Sequence, residues 1–279
     1  MPEDGLSIKE LEELSYYDFM GCMDVPFFNI GGVGSIDRLA ELCEITENSK
    51  VLVVGCGTGG NSCYLAQTYG CQIIGIDIAE HMIKKAQSRV EKLDLTDHVT
   101  FHLGDAYHLG FSPNSFDALL TVFVSQFLGK QRAFAEFVRV LKSGGYLGAN
   151  EMYRADEIPL EAIDNVREGE QVFQELTELP FTLNSPAEWR QAFENVAFVN
   201  TIVEEYPNFR QQGISLKIVN EFGGLGRLIK TLAEVLLLAA KSRKLRARFG
   251  KISKGKQLLL RDKVATKYIG YILVVGKKP

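Results

Sequence analysis

Apolar residues along this chain fall into short runs that alternate with stretches of helical spacing, and the alternation is regular from residue 50 onward. Strands are predicted over 51–54, 72–76, 99–103, 116–122 and 146–151, with helices between them at about 60–69, 79–93 and 130–141. The first strands are nearly continuous apolar runs, as expected where helices cover both faces of a parallel sheet. Ser143-Gly144-Gly145 is expected to end the third helix and turn the chain back into a strand. Ser185-Pro186-Ala187-Glu188 has the cap, the first-turn proline and the reciprocal glutamate of a helix start. Phe198 to Tyr206 reads as a strand, and Tyr268 to Val275 as the last one.

Outside this core the pattern is helical. Over residues 6–20, Leu11, Leu14 and Phe19 lie near helical spacing beside Tyr16-Tyr17. A glycine-rich loop from Pro26 to Gly34 leads to a helix that Ser35 or Asp37 could cap. Before the last strand a helical region runs from about Ile214, interrupted at Gly223-Gly224-Leu225-Gly226. The expected fold is α/β: a doubly wound, mostly parallel, seven-stranded Rossmann-like sheet with an N-terminal helical cover and a helical insertion before the last strand. Its expected parts are a cover over 1–48, an α/β domain over 49–206 and 265–279, and an insertion over 207–264 that serves as lid or oligomer contact.

Composition narrows the class. The length, 279 residues, suits one large domain or a domain with an appended lobe. A formal net charge of −4 weighs against a general nucleic-acid coat. The acidic start Met1 to Gly5 precedes no apolar core, and the run Val235 to Ala240 is too short to span a bilayer, so a cytoplasmic protein is expected. The 5 cysteines are odd in number and form no Cys-x-x-Cys, which disfavours a disulfide framework and a metal site.

The candidate chemistry centres on Val51-Leu52-Val53-Val54-Gly55-Cys56-Gly57-Thr58-Gly59-Gly60 and on Ile73-Ile74-Gly75-Ile76-Asp77. Glycines at a strand–helix turn let a ligand approach the main chain, and the helix that follows offers unpaired N–H groups. Asp77, at the tip of the second strand, can accept from ribose hydroxyls. The glycines alone fit two nucleoside cofactors: Gly55, Gly57 and Gly60 match G-x-G-x-x-G, and Gly55, Gly57 and Gly59 match G-x-G-x-G. Three further features decide between them: His102-Leu103-Gly104-Asp105-Ala106, whose acid can accept from an adenine amino group, Ser115 to Leu120 running into Val122-Phe123-Val124, and Leu141 to Leu147.

In order and spacing these stretches resemble the class I S-adenosylmethionine-dependent methyltransferases over about residues 35–151. Gly31-Gly32 and Cys63-Tyr64-Leu65-Ala66 resemble the small-molecule, ubiquinone/menaquinone-biosynthesis-like group. The resemblance implies S-adenosyl-L-methionine as cofactor, with S-adenosyl-L-homocysteine as product. It implies that Gly55, Gly57 and Gly59 line the methionine and ribose, that Asp77 holds the ribose hydroxyls, and that Ile78 and Met82 flank the adenine. Asp105 and Ala106 would hold the adenine edge, and Phe123 would lie beneath the sulfonium. One departure stands out: Val54 occupies a place where the family commonly has an acid, removing a carboxylate that would order the loop.

Methyl transfer from a sulfonium is an in-line displacement, so the protein mainly aligns the partners, excludes water and supplies a base where the acceptor is protonated. Candidates for that chemistry are Glu151 at the end of the fifth strand, Tyr17 as a lid residue and His108 after the third strand, with Gln126, Asn150 and Tyr153 nearby. Residues 241–256 carry eight basic residues and no acid. They read as a solvated basic turn behind a docked lid helix, or as a surface for an anionic or lipid-like acceptor; the stretch is too short and too poor in aromatics to favour nucleic acid. The apolar helix at 228–240 could bury itself in a second copy. A non-catalytic cofactor-binding scaffold and an NAD-dependent oxidoreductase are the alternative functions.

Overall fold

The computed structural model describes residues 5–23, 31–207 and 224–279. Its strands are β1 (Lys50–Val54), β2 (Gln72–Asp77), β3 (Val99–Leu103), β4 (Phe116–Val122), β5 (Leu141–Arg154), β6 (Val199–Pro207) and β7 (Ile269–Lys277). They form one sheet in the order β3-β2-β1-β4-β5-β7-β6. The first five pair in parallel, and β7 runs antiparallel between β5 and β6. The seven-stranded, doubly wound sheet expected from the sequence is therefore present. Strand order reverses between β1 and β4, and in open α/β sheets that switch point opens the crevice in which ligands bind.

The connecting helices follow their apolar spacing. Helix α4 (Gly60–Tyr69) leaves the glycine turn at the predicted residues. In α5 (Glu80–Lys92), Met82, Ile83, Ala86 and Val90 form the buried face, while Glu80 in the first turn and Arg89 and Lys92 in the last complement the helix dipole. Helix α6 (Lys130–Val140) buries Ala133, Phe134, Phe137 and Val140 on the opposite side of the sheet. Strand alternation sends Val51 and Val53 into the core on the α4–α5 side and Leu52 and Val54 into the core on the α6 side.

Ser143-Gly144-Gly145 does not end a helix, as expected, but lies inside β5. Helix α6 stops at Val140 and the strand begins at once. The register with β4 shifts there, from Phe116 opposite Leu141 to Ala118 opposite Tyr146. Gly144 takes φ of +78°, and a Cβ on Gly145 would sit 2.8 Å from the Asp117 carbonyl oxygen. The glycines thus form a bulge that only a small residue fits.

Helix α1 (Ile8–Glu13), α2 (Tyr16–Cys22) and α3 (Gly32–Leu42) precede the sheet. Most of the loop Pro26 to Gly34 and the start of the helical region at Ile214 lie outside the described residues. Helices α7 (Leu160–Thr177) and α8 (Pro186–Glu194) follow β5, and α9 (Gly224–Lys241) and α10 (Arg243–Lys256) follow β6. Residues 243–256 are thus a helix rather than a solvated turn. Ser242 caps it, accepting from the Leu245 N–H. Gly255 brings it close to α7, since a Cβ there would lie 2.9 Å from the Phe173 ring. Lys254 pairs with Glu168 and Lys251 with Glu175 across the same contact. The start of α8 has the capping box read from the sequence, with Ser185 and Glu188 each satisfying the other's backbone N–H. Ser185→Ala should lower the urea-unfolding free energy by about 1 kcal/mol.

Candidate functional site

The glycine turn is stitched to the neighbouring strand by its own backbone. Gly55 and Cys56 N–H both donate to the Ile76 carbonyl, at 2.8 and 2.9 Å. Gly57 N–H donates to Asp77 Oδ2 at 2.8 Å, and Ala79 N–H donates to Asp77 Oδ1 at 3.0 Å. Asp77 thus orders the loop from β2. Burial raises its pKa above the ordinary aspartate value, and the N–H groups of Ala79, Gly57 and Ile78 oppose that rise.

The loop's three glycines are not equivalent. Gly55 has φ of +69°, and a Cβ there would meet Val124 Cγ2 at 2.2 Å. Gly59 has φ of +81°, with the Phe101 ring 2.8 Å from the same imagined atom. Gly57, at φ of +54°, faces open space. Two glycines are required by packing; the third leaves the main chain bare beside Asp77. At the start of α4 the buried Asn61 Oδ1 has no hydrogen-bond partner among the described residues.

Beyond Asp77 the rim is apolar. Ile78 is 63% exposed and Leu103, opposite Asp77 in the β2–β3 register, is 60% exposed. Two bare branched side chains at adjacent strand ends suit one face of a flat ring. Leu103 is not among the site residues expected from the sequence; its only signal there is an apolar residue at the end of a strand, and its register with Asp77 comes from the sheet. Met82 is buried in the first turn of α5, where its backbone N lies 2.8 Å from where a Cβ on Gly21 would be, so α2 crosses α5 closely. Asp18 of α2 fixes that crossing by accepting from the His81 N–H at 3.0 Å.

Asp105 holds its own turn, with Oδ1 accepting from the Tyr107 N–H at 2.9 Å. Ala106 is half-buried against the α6-side core. His108 stands outside the crevice: its side chain is 70% exposed, with Nδ1 3.4 Å from Asp105 Oδ2 and Nε2 2.9 Å from Arg132. The structure does not bring His108 together with Glu151 or Tyr17.

On the other side of the glycine turn, β4 and β5 end in a polar cluster. Phe123 has φ of +60°, a backbone state rare for a bulky residue and costing on the order of 1–3 kcal/mol. Its N–H donates to the Asn150 carbonyl at 2.8 Å. Glu151 is fully buried. Its Oε1 accepts from the N–H groups of Val124 and Ser125 at 3.1 and 2.7 Å. Oε2 makes no hydrogen bond of normal geometry, although the Thr121 hydroxyl lies near enough to favour the charged form slightly. Burial pushes the Glu151 pKa up to about 7, against the pull of the Ser125 and Val124 N–H groups and of Lys130. Asn150 donates from Nδ2 to Ser35 Oγ at 2.8 Å, and its Oδ1 is likewise buried and unpaired. Gln126 is structural, its Oε1 accepting from the Met152 N–H, and Tyr153 is a buried core residue.

Tyr17 joins the two halves. Burial raises its pKa, followed by the influence of Tyr16 and then of the Asp77 and Glu151 charges, so its phenol lies within electrostatic reach of both carboxylates. Its ring meets Phe127 edge-on at 5.9 Å and Tyr16 at 5.1 Å. Val54 bears differently on the site than its sequence position suggested. Its side chain lies in the α6-side core with Leu52, Ile76 and Leu119, away from the loop. A carboxylate there would be buried among apolar groups. It is Val53 that shares the loop's side of the sheet with Cys56 and Cys63.

A bare glycine main chain beside an acid at the strand switch point, an apolar rim and a carboxylate with one unpaired oxygen across the crevice fit a nucleoside carrying a reactive tail. With this sheet order they are similar to the arrangement of the class I S-adenosylmethionine-dependent methyltransferases. Residues 52–149 match the family model described as a methyltransferase domain. An uncharacterized protein of Haemophilus influenzae is 29% identical over 189 residues, covering 66% of this chain and 72% of that protein. The sterol 24-C-methyltransferase of Clavispora lusitaniae is 32% identical over 120 residues, covering 43% of this chain and 32% of its own length. The chain thus spans about a third of that relative. Among solved structures, Haemonchus contortus phospholethanolamine N-methyltransferase 2, in complex with phosphomonomethylethanolamine and S-adenosylhomocysteine, superposes with a TM-score of 0.68 at 19% identity, covering 98% of this chain and 61% of the other. That likeness is one of fold. Among the described residues no helix is long and apolar enough to cross a membrane.

Proposed function

We propose that this protein transfers a methyl group to a small-molecule acceptor, with Glu151 as the group that receives the acceptor's proton. The observation that carries this reading is the buried Glu151 carboxylate with one oxygen held by two N–H groups and the other unpaired. When bound, S-adenosylmethionine supplies a methyl group already activated by sulfonium charge. Gly57 offers bare main chain to its ribose and methionine portion. Asp77 keeps that turn in place and accepts from the ribose hydroxyls, while Ile78 and Leu103 pack on the adenine. Asp105 and Ala106 border the adenine edge, with Met82 behind it. Phe123, held in its unusual backbone state, forms the floor beside the methyl. Tyr17 closes the crevice from above and excludes water. Met152, Phe181 and Ile269, in the small core under α7, support an apolar boundary to the acceptor side. A lipid-like or anionic acceptor suits these surroundings. Helices α9 and α10 act with α7 as its cap. Five buried cysteines, none of them in a disulfide, suit a reducing, cytoplasmic setting.

Two measurements test this. Asp77→Ala should weaken S-adenosylmethionine binding by roughly 1–3 kcal/mol in a calorimetric titration, as loss of a charge-assisted hydrogen bond does; unchanged affinity would remove Asp77 from the site. Transfer of labelled methyl to a panel of apolar and anionic small molecules should give product at a rate that rises with pH through about 7, as Glu151 loses its proton. Tight cofactor binding with no product across the panel would favour the scaffold reading instead.

A further inference from the structure

Helix α9 divides into three faces. One is seated: Leu238 is buried with Leu245, Leu11 and Phe19, and Val235 packs against the same cluster. A second carries Arg227, Lys230 and Lys241 together with the acid Glu234. The third is apolar and faces solvent. Leu225, Ile229, Leu232 and Leu236 are 63, 57, 55 and 71% exposed, at spacings of four, three and four that align them in one stripe, and Leu237 adds to its edge at 41%. A contiguous exposed stripe of this kind marks an interaction surface.

Charge decides what covers it. From Val235 to Arg261 the chain contains no acid. At the C-terminal end of the stripe Lys241, Arg243, Lys244 and Arg246 are all exposed. Arg246 turns back to donate to the Ala239 carbonyl at 2.8 Å, which holds its guanidinium against the end of α9. Among the described residues no carboxylate pairs with Lys241, Arg243 or Lys244. A second copy docked stripe to stripe would bring the two cationic ends of a symmetric interface into opposition or leave each without a partner, and like-charge contact is strongly unfavourable. A bilayer with anionic headgroups meets both features at once: leucines enter the acyl boundary and cations remain among the headgroups.

We infer that α9 and the first turn of α10 dock this protein on the surface of an anionic lipid bilayer, with α9 lying in the interface rather than across it. The docked surface is mechanically joined to the N-terminal helices. Ser242 Oγ donates to the Glu12 carboxylate, and Arg248 Nη2 donates to the Leu14 carbonyl at 2.8 Å. Phe19 of α2 packs against Phe249 of α10 at 5.6 Å. The helix that carries Tyr17 is thus anchored to the helices that meet the lipid. This inference concerns the surface alone and holds whichever acceptor is methylated.

The test is sedimentation of the full chain with vesicles of phosphatidylcholine mixed with phosphatidylglycerol, against vesicles of phosphatidylcholine alone. Binding is expected to the mixed vesicles, weakened as salt is raised. The exposed double variant Leu232→Glu with Leu236→Glu should weaken it by more than about a hundredfold. A second variant, Arg243→Glu with Lys244→Glu, should weaken it by about fivefold or more per charge removed. Both should retain the wild-type circular dichroism and calorimetric affinity for S-adenosylhomocysteine. No binding to mixed vesicles, equal binding to both vesicle types, or a dimer in analytical ultracentrifugation that Leu232→Glu with Leu236→Glu dissolves would overturn the proposal.

Discussion

Glu151→Gln is expected to slow methyl transfer by about 10²–10⁴-fold while making the protein more stable at pH 8. The two effects share one cause. Burial holds the Glu151 pKa at about 7, above the ordinary glutamate value of about 4.5. Between those values the folded state binds more protons than the unfolded state, so stability falls as pH rises through the interval and the loss is complete above pH 7. A shift of that size corresponds to about 3 kcal/mol at pH 8, as an order of magnitude. Glutamine carries no titrating proton and keeps an oxygen for the Val124 and Ser125 N–H groups. Urea unfolding at pH 8 and pH 4 should show the variant gaining on wild type at the higher pH and little at the lower. A variant destabilised at both pH values would mean that Glu151 is a structural hydrogen-bond partner and nothing more.

The glycine turn yields the second large effect, as a contrast within one loop. Gly55→Ala places a methyl against the stiff, branched Val124 side chain in left-handed backbone, and should cost about 2–4 kcal/mol of folding stability. Gly57→Ala meets nothing within 4 Å, so it should cost only about 1 kcal/mol. Its methyl nevertheless projects into the open space beside Asp77, and S-adenosylmethionine affinity should fall at least about tenfold. Denaturation and calorimetric titration on both variants separate the roles. Equal stability losses, or a Gly57→Ala variant with undiminished affinity, would show that the loop serves packing only.

What the sequence made legible was local. Apolar runs of strand length, the glycine turn between β1 and α4 and the Ser185 cap are each written within a few residues, and each appears where expected. Asp77 was legible as an acid at a strand tip, but its grip on the Gly57 N–H depends on β1 and β2 lying side by side. The features that failed to show were non-local or conformational. The bulge at Gly144 resembles a helix stop until the register with β4 is known. The left-handed backbone of Phe123 has no residue-type signature. The basic stretch has the composition of a solvated turn, yet Gly255 and the pairs to Glu168 and Glu175 make it a helix packed on α7. Val54 was weighed by its place in a motif, whereas strand alternation turns its side chain into the opposite core. His108 had the right chemistry at the right strand end, and only the pairing with Asp105 and Arg132 reveals that it faces outward.

The measurement that bears most directly on the cofactor site is a calorimetric titration of the full chain with S-adenosylhomocysteine, repeated on Gly57→Ala and Asp77→Ala. Saturable binding at one site is expected, weakened in both variants while their unfolding remains cooperative. Absence of binding to the wild-type chain, or equal affinity in all three proteins, would contradict it.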